Sequence, residues 1–181
     1  MEKHVDCERI LFDTQLLAER IKEVAECINK DYEGKEPLVV CTLKGALIFC
    51  SDLIRSLTCP ISLDFMKVSS YGNSAVSGEL HIRQGLSTNV TDRDVIIVED
   101  IMDSGKTIYF LKSFLLREGA KSVKTVVLLD KPERRRFPLE PDYKCFEIED
   151  EFVIGYGLDY AERYRNLPYV GILKRSIYEK E

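Results

Sequence analysis

One continuous stretch, residues 94–107, constrains the fold more than any other part of the chain. It begins with four consecutive β-branched residues at 95–98 and continues into a polar turn. Such an apolar run is typical of a strand buried on both faces, as in parallel sheets that are covered by helices. Because a helical pattern follows directly, the stretch predicts a strand, a loop and a helix. In open α/β sheets such loops lie at the carboxyl edge, where ligands bind.

The polar turn combines groups that suit two kinds of ligand. Ser104, Gly105 and Thr107 can direct backbone N–H groups and hydroxyls toward a phosphate at the positive end of the helix dipole. The carboxylates of the turn are Glu99, Asp100 and Asp103. They can bind sugar hydroxyls or magnesium, or accept a proton, and they are costly beside an apolar strand without a ligand or cation. A ligand site is therefore favoured over an ordinary turn in which Ser104 only caps the helix.

The sequence Gly105-Lys106-Thr107 also invites comparison with the P-loop of nucleotide triphosphatases. That motif requires a glycine five positions before Gly105, and Asp100 occupies this position. The comparison therefore excludes a P-loop.

The composition is that of a single globular domain. The chain has 181 residues, 45% of them hydrophobic and 31% charged, which is enough for one α/β core and too short for two ordinary domains. The net charge of −5 argues against nonspecific binding to nucleic acid or to an anionic membrane. No apolar run reaches transmembrane length, and none of the six cysteines forms a Cys-x-x-Cys pair. These features predict a cytoplasmic protein with reduced cysteines and no signal peptide.

A second strand–loop–helix unit precedes the first. Residues 38–41 form a short apolar run, followed by Lys44 and Gly45 and then by the apolar positions of a helix. A glycine lets the backbone approach an anion and a lysine adds charge, so this turn is either an ordinary connection or a second phosphate site. Parallel strands would place it on the same edge of the sheet as the first loop.

The segments around these units follow from the same patterns. Asp13 can cap a first helix, and residues 123–129 form the strand that completes a βαβ unit. The connection at 69–92 is long and rich in turn residues, which fits an active-site lid, a β-hairpin through residues 79–83, or both. The basic run at 134–136 is interpreted as a solvated loop.

Several of these motifs resemble those of the purine phosphoribosyltransferases, specifically the hypoxanthine(-guanine) type. Residues 95–107 look like the family's signature for phosphoribosyl pyrophosphate (PRPP). Residues 43–46 are similar to its pyrophosphate loop, with Ala46 where many members have a second glycine. Ser70 and Tyr71 fall where the family has its mobile cover.

Further segments in the same order extend the resemblance to the C-terminal part. Residues 130–132 and 152–160 match the family's purine-recognition segment and hood, and Arg165 follows at the family's spacing. The resemblance implies one phosphoribosyltransferase domain over residues 1–181, with a mostly parallel twisted sheet flanked by helices. Its core would span about residues 10–130, and a small hood for the base would comprise about 131–181 together with the N-terminal residues.

The family transfers the 5-phosphoribosyl group of PRPP to a purine nitrogen and releases pyrophosphate. The resemblance therefore implies that the polar turn binds the 5′-phosphate through backbone N–H groups and hydroxyls. The adjacent carboxylates would accept hydrogen bonds from the ribose hydroxyls and would favour the cationic sugar of the transition state. The residues assigned to phosphate and ribose are Glu99, Asp100, Ser104, Gly105, Lys106 and Thr107.

The resemblance also assigns the leaving group. Lys44, the backbone of Gly45 and Arg165 would hold pyrophosphate. Pyrophosphate leaves poorly unless its charge is neutralised, and Mg²⁺ does this with carboxylate, substrate and water ligands. The carboxylates assigned to Mg²⁺ are Asp159, Glu99 and Asp100.

The purine is assigned to a third group of residues. Asp103 is the family's proposed general base, which manages the proton on N7 as N9 attacks. Lys131 has only donors, so it would accept a 6-oxopurine and disfavour the 6-amino group of adenine. Phe152 offers a ring for stacking, and the backbone of Val153 can contact the other edge of the base.

Two alternatives have the same fold. One is a regulator that binds nucleic acid and senses PRPP, and the net negative charge and the lack of spare length for a DNA-binding module argue against it. The other is a phosphoribosyltransferase for another base, such as xanthine. The family resemblance further leads us to expect a homodimer or homotetramer whose interface lies near the segment after Lys44, with small-molecule substrates and no membrane or nucleic-acid partner.

Overall fold

The computed structural model describes residues 2–70 and 80–179. Their strands form two sheets, one of six strands and one of three. The strands are β1 (Cys7–Phe12), β2 (Leu38–Thr42), β3 (Ser62–Ser70), β4 (Leu80–Gln84), β5 (Asp94–Met102), β6 (Ser122–Asp130), β7 (Tyr143–Glu147), β8 (Val153–Ile154) and β9 (Val170–Leu173). The α-helices are α1 (Thr14–Asp31), α2 (Leu47–Ser56), α3 (Lys106–Arg117) and α4 (Arg175–Tyr178), and Pro132–Arg134 form a 3₁₀ turn.

The larger sheet has the order β4-β3-β2-β5-β6-β7. All neighbours in it are parallel except β4, which pairs antiparallel with β3 at one edge. This arrangement confirms the predicted mostly parallel α/β sheet. It also places the carboxyl ends of β2, β5 and β6 side by side, so the loops that follow these strands meet at one edge.

The central strands are buried because helices cover both faces of the sheet. Alternate residues of β2 and β5 face α1 and α2, for example Val39 and Ile96, whereas Val40 and Ile97 face α3. Asp13 caps α1 as predicted, since its Oδ1 accepts a hydrogen bond of 2.9 Å from Leu16 N–H. The unbroken apolar runs in the sequence therefore reflect two-sided burial.

The smaller sheet is antiparallel, with the order β1-β9-β8. It joins the N-terminal strand to the C-terminal part of the chain, and the backbone N–H of Lys174 donates to Asp6 O at 3.0 Å. β8 follows Phe152, and the loop from Gly155 onward returns to the edge of the large sheet where β2 and β5 end. The small sheet thus forms one side of the edge that is predicted to bind ligands.

Three predictions about connecting segments need comment. β4 pairs with β3 as a hairpin would, while Tyr71 lies outside the described residues and Ser70 is the last residue of β3. The predicted lid at this position is therefore not described. The solvated loop predicted for 134–136 is wrong for Arg135, whose side chain is 10% exposed and paired with Asp130.

Candidate active site at the carboxyl edge of the sheet

The polar turn after β5 forms the predicted strand–loop–helix junction. β5 continues to Met102, so only residues 103–105 lie between the strand and α3. Gly105 precedes the first helical residue with φ of 82°, a left-handed conformation in which glycine is far less strained than other residues. The Oγ of Ser104 accepts a hydrogen bond of 3.3 Å from Lys106 N–H. A cavity of about 60 Å³ is lined by Ile101, Met102, Asp103, Ser104, Gly105, Lys106, Thr107 and Ile108.

The sequence suggested that Glu99 and Asp100 lie in the polar turn. In the structure both residues belong to the last part of β5. The Oε2 atom of Glu99 is buried and has no hydrogen-bond partner among the described residues. Burial and the neighbouring charge of Asp100 raise the pKa of Glu99 well above its usual range. Burial also raises the pKa of Asp100, although hydrogen bonds from Glu99 and from Ile101 N–H oppose this effect. Two carboxylates so close together, one with an orphaned oxygen, are suited to a ligand that brings hydroxyl donors or a cation.

Gly45 lies directly against Asp100. A Cβ atom at this position would be 1.6 Å from Asp100 Oδ2, so no other residue fits there without displacing the carboxylate. Gly157 makes a similar approach from the other side, because a Cβ atom there would be 2.1 Å from Gly45 O. Ala46, where a second glycine is common in the family, is buried and has φ of −74° and ψ of −6°. This is an ordinary conformation for alanine, so the backbone at this position does not require the second glycine of the family pattern.

The cations predicted to hold pyrophosphate are paired with carboxylates. Lys44 Nζ lies 2.9 Å from Glu162 Oε2. Arg165 forms an ion pair of 2.7 Å with Asp159 Oδ1 and approaches Glu162 at 3.5 Å, and its guanidinium also donates to Gly157 O at 2.7 Å. Its Nε atom is buried and has no partner among the described residues. Glu162 contacts both cations in this structure, although no motif in the sequence singles it out.

The residues predicted to bind the purine line one cavity. Its volume is about 280 Å³, and it is lined by Asp100, Ile101, Asp103, Lys131, Arg134, Phe152, Val153, Leu158 and Asp159. Lys131 is only 6% exposed, and its Nζ donates to Glu151 O at 2.7 Å. Phe152 is stacked on Tyr178 with ring centroids 5.0 Å apart. The fold therefore brings residues from β5, the end of β6 and β8 to the same space.

Arg134 connects Asp103 to the small-sheet side of this cavity. Its Nε lies 2.9 Å from Asp103 Oδ1, an ion pair without the angle of a good hydrogen bond. Its Nη1 donates to Asp150 Oδ1 at 3.1 Å. A run of three arginines contains no signal for a partner far away in the chain, so its composition predicts only a solvated loop.

Magnesium can be tested against these residues. Groups of three or more potential ligands that could hold a metal by themselves are absent from residues 2–70 and 80–179. Mg²⁺ commonly binds through one or two carboxylates together with substrate phosphates and water. Asp159 and the orphaned oxygen of Glu99 supply hard oxygen donors of this kind, so the residues fit an ion that arrives with its substrate.

The chain is similar to known phosphoribosyltransferases over almost its whole length. A model of the phosphoribosyl transferase domain matches residues 9–161. The chain is 48% identical over 176 residues to a hypoxanthine-guanine phosphoribosyltransferase of Streptococcus thermophilus, covering 97% of this chain and 98% of the relative. The corresponding protein of Bacillus subtilis is 48% identical over 180 residues, with 99% of each chain covered.

Solved structures of hypoxanthine phosphoribosyltransferases have the same fold as this chain. A hypoxanthine phosphoribosyltransferase from Staphylococcus aureus superposes with a TM-score of 0.93 at 40% identity, covering 97% of this chain and 96% of that chain. A Trypanosoma cruzi hypoxanthine phosphoribosyl transferase, studied for the role of its C-terminal region in oligomeric state and activity, superposes with a TM-score of 0.93 at 37% identity, covering 98% and 97% of the two chains. The chain therefore belongs to the phosphoribosyltransferase family, among its hypoxanthine-guanine members.

Proposed function

We propose that this protein transfers the 5-phosphoribosyl group of PRPP to hypoxanthine or guanine, giving the nucleoside monophosphate and pyrophosphate. The observation that carries this proposal is the cavity in which the buried ammonium of Lys131 and the carboxylate of Asp103 lie together. The phosphate-binding turn directly follows Asp103 in the chain. One cavity thus combines a donor for a 6-oxo group, a proton acceptor and a neighbouring anion site. Residues 1–181 would act as a single phosphoribosyltransferase unit.

The residues of β5 and its loop would bind the sugar phosphate. Backbone N–H groups and hydroxyls of residues 104–107 suit the 5′-phosphate at the start of α3. Glu99 and Asp100 would accept hydrogen bonds from the ribose hydroxyls, which would provide the partner that Glu99 Oε2 lacks. Their negative charge would also stabilise the positive charge that develops on the sugar as pyrophosphate leaves.

The leaving group would displace the carboxylate partners of Lys44 and Arg165. Magnesium, when bound, neutralises pyrophosphate and so makes it a better leaving group. Asp159 would hold this ion together with Glu99 and Asp100, and Asp100 lines the same cavity as Asp159. The close packing of Gly45 against Asp100 keeps the pyrophosphate loop next to the ribose, where the bond breaks.

A substrate panel tests the function. Purified protein is supplied with PRPP, Mg²⁺ and one base at a time, namely hypoxanthine, guanine, xanthine, adenine or uracil, and pyrophosphate release is followed. We expect turnover with hypoxanthine and guanine, and loss of turnover when EDTA removes the Mg²⁺. Equal turnover of adenine, or turnover only with xanthine or uracil, would reject the proposed base. An inactive protein that shifts RNA in a PRPP-dependent manner would instead support a regulator.

Glu162 is expected to compete with pyrophosphate for its cations. Its carboxylate lies 2.9 Å from Lys44 and 3.5 Å from Arg165, and the pKa of Glu162 is lowered by the hydrogen bond and charge of Lys44. Pyrophosphate must replace these contacts when it binds. Glu162→Gln should therefore tighten pyrophosphate binding by about two- to fivefold, the modest effect expected of exposed ion pairs.

The product-inhibition constant of pyrophosphate measures this effect. Glu33→Gln makes the same chemical change at an exposed position on another part of the surface and should leave the constant unchanged. Unchanged or weaker pyrophosphate binding in Glu162→Gln would show that Glu162 does not act as a competitor.

We further propose that the protein forms a homodimer or homotetramer through the surface beside the pyrophosphate loop. Leu47 and Ile48, at the start of α2, are 46% and 39% exposed. A cavity of about 510 Å³ adjoins Ile48 and is lined by Thr14, Leu17, Ala18, Ile21, Ile48, Asp52, Arg55, Ser56, Tyr156, Arg165, Asn166, Leu167 and Pro168. An exposed apolar surface beside a groove is characteristic of an interaction site.

Analytical ultracentrifugation tests this interface. We expect the wild-type protein to sediment as a dimer or tetramer and Ile48→Glu to sediment as a smaller species. Leu116→Glu changes an exposed leucine on α3, 47% accessible against 39% for Ile48, and should sediment like the wild type. A monomeric wild type, or an Ile48→Glu variant of unchanged size, would contradict the proposed surface.

A further inference from the structure

Arg135 is an almost buried cation that none of the proposed substrate contacts uses. Its side chain is 10% exposed, although it lies between two exposed arginines. One arm of the guanidinium, Nη1, donates to Asp103 O at 2.6 Å and to Met102 O at 3.3 Å. The other arm, Nη2, pairs with Asp130 Oδ1. The side chain therefore links the backbone around Asp103 to the end of β6.

Asp130 is suited to hold this arginine in one orientation. It is completely buried at the last position of β6, and its other oxygen lies 3.2 Å from Lys144 Nζ. A buried carboxylate is tolerated only when it is well paired, so Asp130 fixes the position of the guanidinium. The planar fork of arginine can bind a carboxylate with one arm and carbonyl oxygens with the other. Lysine offers a single ammonium and cannot reproduce this geometry.

The chain around Arg135 wraps the phosphate-binding turn from outside. Ser104 O accepts hydrogen bonds from the backbone N–H groups of Arg136 at 3.0 Å and Phe137 at 3.2 Å. Together with the contacts of Arg135, three successive carbonyl oxygens, at residues 102–104, are bound by this segment. A Cβ atom on Gly105 would lie 3.2 Å from Cδ of Arg135, which shows how closely the side chain approaches the loop.

We propose that Arg135, anchored by Asp130, is a positioning residue that sets the backbone of Asp103 and of the 5′-phosphate loop. This inference rests on the proposed phosphoribosyl transfer. Arg135 binds the loop through its carbonyl oxygens, so these contacts do not compete with a phosphate for the backbone N–H groups of residues 104–107. Asp103 is held through its carbonyl group, while its carboxylate lines the base cavity. Loss of the arginine displaces the reacting groups without removing any of them.

The test compares Arg135→Lys with Arg136→Lys. Arg136 lies in the same basic run, its side chain is exposed, and the substitution leaves its backbone N–H in place. In Arg135→Lys we expect kcat/KM for PRPP to fall by about 30- to 100-fold, since a displacement near 1 Å can cost this much. The KM for hypoxanthine should stay within about threefold, because Lys131 and Phe152 retain their places. Arg136→Lys should match the wild type in all constants.

Chemical rescue separates positioning from a general effect on folding. Arg135→Ala should be partly reactivated by guanidinium at low millimolar concentration and not by ammonium, because only guanidinium has the two-armed geometry. If Arg135→Ala does not fold, Arg135→Lys alone decides the question, with its melting temperature as the measure of stability. A PRPP kcat/KM within threefold of wild type in Arg135→Lys would overturn the proposal. The proposal would also be overturned if the loss of kcat/KM were equal for both substrates and were accompanied by a matching fall in melting temperature.

A binding measurement distinguishes failure of this inference from failure of the proposed function. Ribose 5-phosphate presents the same 5′-phosphate without any transfer reaction, and its binding is measured by isothermal titration calorimetry. We expect weaker binding to Arg135→Lys and unchanged binding to Arg136→Lys. Suppose that the wild type lacks transferase activity but binds ribose 5-phosphate more tightly than Arg135→Lys does. The proposed reaction is then wrong, and the role of Arg135 in the phosphate loop stands. If the wild type is active and both variants bind alike, the inference fails.

Discussion

Asp103→Asn should lower kcat by about 10²- to 10³-fold while the affinity for PRPP changes little. The substitution keeps the size of the side chain and the backbone that Arg135 holds, but it removes the carboxylate that would accept the proton from the purine. Asp103 lines both the cavity at the turn before α3 and the cavity proposed for the base, so it can reach a purine while the turn binds a sugar phosphate. The loss should therefore appear in the chemical step.

Single-turnover kinetics and a separate PRPP titration distinguish the two effects. Asp13→Asn serves as a control, because asparagine caps a helix as well as aspartate and should leave kcat unchanged. A near-normal kcat in Asp103→Asn would show that the carboxylate only orients the base. A large loss of PRPP affinity would instead place Asp103 among the sugar-phosphate ligands.

Lys131→Ala should largely abolish the preference for 6-oxopurines over adenine. Lys131 is 6% exposed, and its ammonium already donates to Glu151 O at the edge of the cavity. A buried donor that faces the amino group of adenine remains unpaired, which costs about 1–3 kcal/mol and more when it is charged. Without the lysine this penalty disappears, and the contact to the 6-oxo group disappears with it. The ratio of kcat/KM for hypoxanthine to that for adenine should fall by at least about 100-fold.

The measurement is the pair of kcat/KM values with saturating PRPP. Lys22→Ala removes an exposed lysine from α1 and should retain the wild-type ratio. A ratio that stays intact in Lys131→Ala would mean that base selection depends on backbone contacts near Val153. The predicted role of Lys131 would then be wrong.

The parts of the structure that the sequence predicts are those determined locally. Four β-branched residues in succession are typical of a strand buried on both faces, and the run at 95–98 lies in such a strand, β5. Gly105 and the following helical pattern likewise specified a turn at the carboxyl edge. The candidate base site was placed by resemblance to a family, and the structure brings Asp103, Lys131 and Phe152 to one cavity.

The features that the sequence did not predict depend on contacts between distant segments. Asp64 alternates with apolar residues and looks exposed, yet it is buried and accepts hydrogen bonds from Ser87 and Thr88 N–H, each 2.8 Å long. Arg135 and its neighbours Arg134 and Arg136 are the same residue type. Of the three, Arg135 is the one that pairs with the buried carboxylate of Asp130. Sequence periodicity cannot predict which arginine is paired, because the tertiary fold brings the partner close to it.

The close packing of Gly157, Gly45 and Asp100 has a consequence for changing the base preference of this enzyme. The segment that carries Gly157 begins beside Phe152 and Val153, which line the cavity proposed for the base, and at Gly157 its backbone lies so close to Gly45 O that no side chain fits between them. A segment exchanged with a relative to admit a new purine would therefore shift the leaving-group pocket as well. A segment exchange that changes base selectivity should therefore also change the KM for PRPP.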